Sequence, residues 1–252
     1  MNFSTDGLVI RETKIKENDK VLTILTRDKG IIRAFANSSN GFKASKSTAT
    51  GLITYSRFEF YVNAKGNCVI DDAKTKDMFI NLRSDIGKLA LAQYFCELAE
   101  QLAPKESNAE DFLRLLLNSI YMAANDKLPL DLLKCIYELR ITSLAGYVPD
   151  LVGCRECGCF EDDGMHFLPE SGQIICSNCG EDCFEKKFFI GKTLTNVMRH
   201  CVYSELNKLF SFRLSENSVI PLGKITEKYC LMHLDKDLKT LEFYKNIKEQ
   251  KI

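Results

Sequence analysis

No stretch of the chain approaches the roughly 18 uninterrupted apolar residues that a membrane-spanning helix requires, so a membrane protein is not expected. The opening residues, Met1-Asn2-Phe3-Ser4-Thr5-Asp6, have neither the basic region nor the apolar run of a secretory signal. A reducing cytoplasm is therefore the expected compartment. Histidine occurs only three times, as His166, His200 and His233, and none stands in an arrangement that marks a catalytic base. A phosphate-binding loop is missing as well. Gly191-Lys192-Thr193 resembles the end of one, but the earlier glycine would fall on Lys186, and Phe188-Phe189-Ile190 are too bulky for a backbone nest. There is no internal repeat and no low-complexity tract. Nothing points to an enzyme.

Net charge is also lacking, 34 basic against 34 acidic residues, which excludes a uniformly basic nucleic-acid binder. The zero hides a pattern. Residues 1–80 carry 13 basic against 9 acidic side chains, 81–150 carry 7 against 10, 151–183 carry 1 against 7, and 184–252 carry 13 against 8. A phosphate backbone responds to the local field more than to the total, so basic ends around an acidic middle remain compatible with DNA.

The first eighty residues read as strands. Gly7–Glu12, Lys20–Thr26 and Ile31–Ala36 are β-branched runs, with Arg27-Asp28-Lys29-Gly30 as the turn between the last two and Gly30 supplying its positive φ. The polar stretch Asn37–Thr50 reads as a long loop, and Ser56–Val62 and Cys68–Asp72 as two more strands. Five short strands without a helical period predict a small barrel of the oligonucleotide-binding (OB) type.

From about residue 79 the spacing becomes helical, with Ile86, Leu89, Ala90, Phe95, Leu98 and Leu102 on one face. A second helix carries Phe112, Leu115, Leu116, Ser119 and Ile120, with Asn108 as its expected N-cap. A third runs from Leu130 to about Leu144, with Pro129 before it and Gly146 after it. Thr193–Leu209, Lys224–Leu234 and Leu238–Ile247 also read as helices. The expected architecture is α+β and multi-domain. It comprises an OB-type barrel over 1–79, a helical domain from 80–150 and 184–252, and between its two parts a four-cysteine module at 151–183.

Eleven cysteines in a reducing compartment are not a disulfide framework. Cys68, Cys96, Cys135, Cys201 and Cys230 sit among apolar neighbours and read as small core residues. Cys154-Arg155-Glu156-Cys157 and Cys176-Ser177-Asn178-Cys179 are different: two Cys-x-x-Cys knuckles with 18 residues between them, inside the range of a four-thiolate zinc site. Such a site binds one ion, leaves no open coordination position and is structural. Gly158 and Gly180 follow the knuckles, where the turn needs a permissive backbone; Cys159, Cys183 and His166 are spare donors. The surrounding acids would repel phosphate, so the module is not expected to be the main DNA contact.

The order of these parts resembles the bacterial RecO family. The most specific stretch runs from Tyr137-Glu138-Leu139-Arg140 through Leu144-Ala145-Gly146-Tyr147-Val148-Pro149-Asp150-Leu151 to the first knuckle. It resumes at Phe167-Leu168-Pro169-Glu170-Ser171-Gly172 before the second. Gly7–Ile10 and Val21–Ile31 look like the family's opening strands. The resemblance implies a non-enzymatic recombination mediator that binds single- and double-stranded DNA and anneals complementary strands. It also implies partnership with RecR, contact with the C-terminal tail of single-strand-binding protein, help in loading RecA, and association with the nucleoid.

An OB barrel grips a strand with cations and stacks bases on aromatic rings. Arg27, Lys29, Arg33, Lys43, Lys46 and Arg57 face a single acid, Asp28, between residues 27 and 57, and Phe35, Phe42, Tyr55 and Phe58 interleave with them. The expected DNA contacts are those six cations with Phe42. The segment Asn37–Lys46 is poorer in cations than the family's loop, which implies a shallower salt dependence. Lys186, Lys187, Lys192, Arg199, Lys224 and Lys228 are further candidates for an acidic peptide or DNA. The alternative is an adaptor whose barrel docks a protein, with DNA incidental.

Overall fold

The computed structural model describes residues 2–15, 19–36 and 44–250. It divides into two compact units, one of residues 1–127 with 238–252, the other of 128–237.

The first unit is built on five strands: β1 (Asn2–Lys14), β2 (Lys20–Thr26), β3 (Gly30–Ala36), β4 (Tyr55–Val62) and β5 (Cys68–Asp77). They close as a barrel in the order β1-β2-β3-β5-β4, with β4 returning to β1 and a single parallel pair, β3 with β5. That is the OB arrangement. β1 is long because it serves both edges: Asn2–Leu8 pairs with β4 and Gly7–Lys14 with β2, with a register shift between Val9 and Arg11 where it passes from one to the other. Strand alternation sends Val9, Leu22, Ile24, Ala34, Phe58, Phe60 and Ile70 inward as one core.

Leu8 and Leu25 form a cross-strand pair on the outer wall and are fully buried, where α2 (Ile86–Leu102) and α3 (Glu110–Ala124) pack against β1 and β2. Burying each contributes about 1.5–3 kcal/mol. The α2–α3 linker is fastened to the β2–β3 turn: Ile31 N donates to Pro104 O at 3.0 Å and Ala109 N to Arg27 O at 2.9 Å. Gly30 has φ +62, and a Cβ there would stand 2.1 Å from Pro104 O. It is glycine for the turn and for the close approach of the linker. Helix α7 (Lys239–Gln250) packs on α2, and Glu97 accepts from Thr240 N at 3.1 Å and from the Thr240 hydroxyl, holding an otherwise unpaired first-turn donor of α7.

The second unit contains α4 (Leu130–Leu144), α5 (Gly191–Tyr203), α6 (Glu216–Met232) and a four-stranded sheet. Its strands are β6 (Asp150–Cys154), β7 (His166–Leu168), β8 (Gln173–Ile175) and β9 (Phe188–Phe189), in the order β6-β8-β7-β9. α4 packs on both α5 and α6. Arg140 of α4 donates to Val202 O at 2.8 Å and to Ser204 O, taking up carbonyls that the end of α5 leaves unpaired.

Several boundaries differ from those expected. The polar stretch 37–50 contains a short helix, α1 (Ala44–Ala49), which has no apolar stripe by which spacing could reveal it. The N-cap of α3 is Ala109; Asn108 stands one residue upstream and accepts from Glu110 N at 3.0 Å. α5 ends at Tyr203, before the expected Leu209. α6 begins at Glu216, eight residues before the expected Lys224, because burial of Val219, Leu222 and Ile225 carries the helix across Pro221. The helices expected as one domain over 80–150 and 184–252 are distributed over both units, with α2, α3 and α7 beside the barrel and α4, α5 and α6 beside the small sheet. Cys96, Cys135, Cys201 and Cys230 are buried, and half-buried Cys68 packs on the barrel core.

Candidate metal centre and nucleic-acid interface

Cys154 ends β6 and Cys176 directly follows β8, and these two strands are parallel neighbours. The pairing therefore delivers both knuckles to the same end of the sheet. The Sγ atoms of Cys154, Cys157, Cys176 and Cys179 all lie within 4.8 Å of one another, and Cys157 and Cys176 are 3.7 Å apart. Four sulfurs around a zinc ion at about 2.3 Å would be separated by about 3.8 Å. The donor set fits a tetrahedral thiophilic cation.

The electrostatics favour the same conclusion. Burial raises the Cys154 thiol, but backbone N–H groups of Cys157, Cys176 and Glu156 outweigh it and bring it down to about 6. Hydrogen bonding with Cys176 and Cys157 then pushes Cys179 far up, and Cys176 is raised as well. Four thiolates this close need a positive charge among them. Gly158 meets its expected role, with φ +73 and open space around a Cβ. Gly180 is needed for room instead, since a Cβ would lie 3.0 Å from Cys176 O.

The spare donors have other contacts. Cys159 Sγ donates to Glu161 O at 3.1 Å, Arg155 approaches Cys183 Sγ at 3.6 Å, and the His166 ring packs edge-on to Phe189. Acids in and beside the module are structural too. Asp162 accepts from Gly164 N, Ser177 N and the Ser177 hydroxyl, and Glu185 accepts from Ser171 N and Arg155. Three of the proposed C-terminal cations are used in the same way. Arg199 donates to Leu151 O, Val152 O and Phe160 O and lies 3.8 Å from the Phe160 ring centre; Lys192 pairs with Glu161 at 2.7 Å; Lys187 donates to Gly180 O. Sequence spacing gives no sign of these partners.

The barrel's cations fall into separate groups. Lys29, in the β2–β3 turn, is exposed. Arg33 is exposed on the outer wall of β3, cross-strand from Thr23, which in turn pairs with Arg11. Arg27 and Arg57 converge instead on Asp6, each at 3.4 Å, and Lys76, which sequence reasoning missed, reaches the same carboxylate at 2.8 Å. Lys46 lies in α1. Phe42 and Lys43 lie outside the described residues. Of the interleaving rings, Phe35 is half-buried on the outer wall, opposite Val21. Tyr55 has Lys76 over its face at 5.2 Å. Phe58 is core, stacked with Phe60 at 5.6 Å, and presents no face to a base. No helix among the described residues is long and apolar enough to cross a membrane.

Comparison with known proteins matches both halves of the chain. A family profile described as "Recombination protein O N terminal" matches residues 1–79, and one described as "Recombination protein O C terminal" matches residues 83–242. Similar curated proteins include a "DNA repair protein RecO" from Acetivibrio thermocellus, 29% identical over 249 residues that cover 98% of each chain. Another of the same name, from Alkaliphilus metalliredigens, is 25% identical over 98% of this chain and 100% of its own. A third, from Dehalococcoides mccartyi strain CBDB1, is 33% identical over 181 residues, 71% of this chain and 70% of its own.

Proposed function

The chain belongs to the RecO family of DNA repair proteins, and from that premise we propose that it is a non-enzymatic mediator that binds DNA and anneals complementary strands. In this role it works with RecR, engages the C-terminal tail of single-strand-binding protein and helps RecA onto gaps, in the cytoplasm at the nucleoid. Residues 1–79 are the DNA-binding part, and 151–183 form a structural module that holds one zinc ion through Cys154, Cys157, Cys176 and Cys179.

The observation that carries the reading is the closed OB barrel with cations on its outer wall: Lys29 and Arg33 exposed, and Arg27, Arg57 and Lys76 gathered on one carboxylate. Phosphate contacts of this kind position a strand without reading its sequence, which suits a protein that must accept any gap. Arg27, Lys29, Arg33 and Arg57, with Lys43, Lys46 and Phe42 on the adjoining segment, remain the proposed contacts. A closed four-thiolate site leaves the metal no position for a reactive water.

The test is annealing of complementary oligonucleotides coated with single-strand-binding protein, with no ATP present. The wild type should accelerate duplex formation, and Lys29→Glu combined with Arg33→Glu should abolish the acceleration without lowering the melting temperature. Tight binding of the acidic tail peptide by a protein that does not hold bare DNA would replace this reading with the adaptor.

A further inference from the structure

Asp6 is an unusual residue for the outer wall of a barrel. Its side chain is only 5% exposed, yet it lies cross-strand from Arg57, and its carboxylate is surrounded by cations from three places in the chain. Arg27 comes from the end of β2, Arg57 from β4 and Lys76 from the end of β5, and their side chains are 42%, 47% and 41% exposed. Each cation thus places a nitrogen on Asp6 while its side chain as a whole stays partly open to solvent. Three positive charges surround one negative charge, an excess of two.

Further contacts fix the arrangement. Arg57 Nη2 donates to Ser4 Oγ at 2.9 Å, so its fork is held at both nitrogens. Arg27 Nε is buried and has no acceptor among the described residues. Lys74, cross-strand from Arg57, is exposed beside the group. The acid of the adjoining turn, Asp28, accepts the Thr5 hydroxyl at 2.8 Å. Burial works against ionisation of Asp6, but Lys76 and Arg57 outweigh it and hold the carboxyl below the usual carboxylate range.

We infer that Arg27, Arg57 and Lys76 form a phosphate-binding subsite on the β1-β4-β5 wall, and that Asp6 is its positioning residue. The inference rests on the DNA-binding reading and deepens it by naming where a phosphodiester sits. A fixed carboxylate holds the cations in place before the ligand arrives, so little side-chain freedom remains to be lost on binding. A phosphodiester accepts from the outward guanidinium and ammonium donors and leaves the group with one net positive charge. Asp6 touches no ligand; it acts through the three cations.

The consequence runs against simple charge counting. Asp6→Asn adds one positive charge to the chain, yet it removes what holds the cations together, and the three repel one another and spread. The experiment is binding of a fluorescent single-stranded oligonucleotide by the full chain over a series of salt concentrations. Lys76→Gln should weaken binding about 3–10-fold at low salt and reduce the slope of log K against log salt by about 0.7, the value for one lost phosphate contact to a single strand. Asp6→Asn should also weaken binding, and Asp6→Glu should restore part of it.

If Asp6→Asn binds more tightly than the wild type, Asp6 only neutralises the patch and the inference is wrong. An unchanged slope in Lys76→Gln overturns the subsite while leaving the DNA-binding reading intact, and that variant decides the matter should Asp6→Asn fail to fold. Absence of any binding by the wild type removes both.

Discussion

Cys157 Sγ stands 3.7 Å from Cys176 Sγ, although 18 residues separate the two in sequence. The contact exists because β6 and β8 are parallel neighbours that end at the same side of the sheet. A metal at this centre would therefore tie together two chain segments that otherwise share a short strand pairing, and its removal should be felt throughout residues 128–237.

Elemental analysis should accordingly find one zinc per chain. Cys176→Ser should lose the metal and destabilise this unit by about 3 kcal/mol or more, a fall of about 10–20 °C in its melting temperature. Cys159→Ser and Cys183→Ser, whose sulfurs contact Glu161 O and Arg155, should keep full metal content. Retention of metal by Cys176→Ser would remove that residue from the ligand set.

The four-cysteine cluster was legible in the sequence because each knuckle is local: two thiols and a turn within four residues carry their own chemistry. The barrel was legible because period-2 burial and a glycine turn are local too. The role of Arg27 and Arg57 was not. Both are basic residues in a strand-rich segment, and only the strand pairing makes them partners of a buried carboxylate: the β1–β4 register sets Asp6 opposite Arg57, and the β1–β2 pairing brings Arg27 N to Asp6 O at 2.9 Å. Lys76 escaped for the same reason, and Arg199 and Lys187 because their acceptors are backbone carbonyls that no side-chain pattern reports.

Gly30 and Gly66 both have positive φ, at +62 and +78, but their surroundings differ. A Cβ on Gly66 would meet nothing within 4 Å, whereas one on Gly30 would strike Pro104 O at 2.1 Å. Gly66→Ala should cost only the left-handed backbone penalty, about 1–2 kcal/mol. Gly30→Ala should cost more, because the α2–α3 linker must also detach from the turn. Urea denaturation of the two variants separates the terms, and equal losses would mean that the linker yields freely.

Lys134, 8% exposed, pairs with fully buried Glu138 at 2.7 Å and with Glu227 at 2.9 Å, and Thr226 donates to Glu138 at 2.6 Å. Burial would lower the Lys134 pKa, but the two carboxylates outweigh it and hold the ammonium charged. Lys134→Met leaves Glu138 without its cation and should destabilise the protein by about 3–5 kcal/mol. The double variant Lys134→Met with Glu138→Leu should recover a large part of that loss, since the buried carboxylate is removed with its cation. A double variant no more stable than the single one would show that packing, not the lost ion pair, dominates.

His233 supplies a pH dependence whose sign follows from its surroundings. Its ring stacks on Tyr147 at 4.2 Å and meets Tyr229 edge-on at 4.7 Å, and its Nε2 is buried without a hydrogen-bond partner among the described residues. Burial lowers its pKa below the ordinary 6.5. In the unfolded chain the imidazole takes up a proton as pH falls through 6.5; in the folded chain it resists until a lower pH. Between those two values the unfolded state binds more protons, so stability is present above 6.5 and declines as pH falls towards the folded-state pKa. Chemical denaturation from pH 7.5 to 5 should show that decline, and His233→Phe, which keeps a flat ring between the two tyrosines, should flatten it. A variant that loses stability over this range as steeply as the wild type would place the proton uptake on another group.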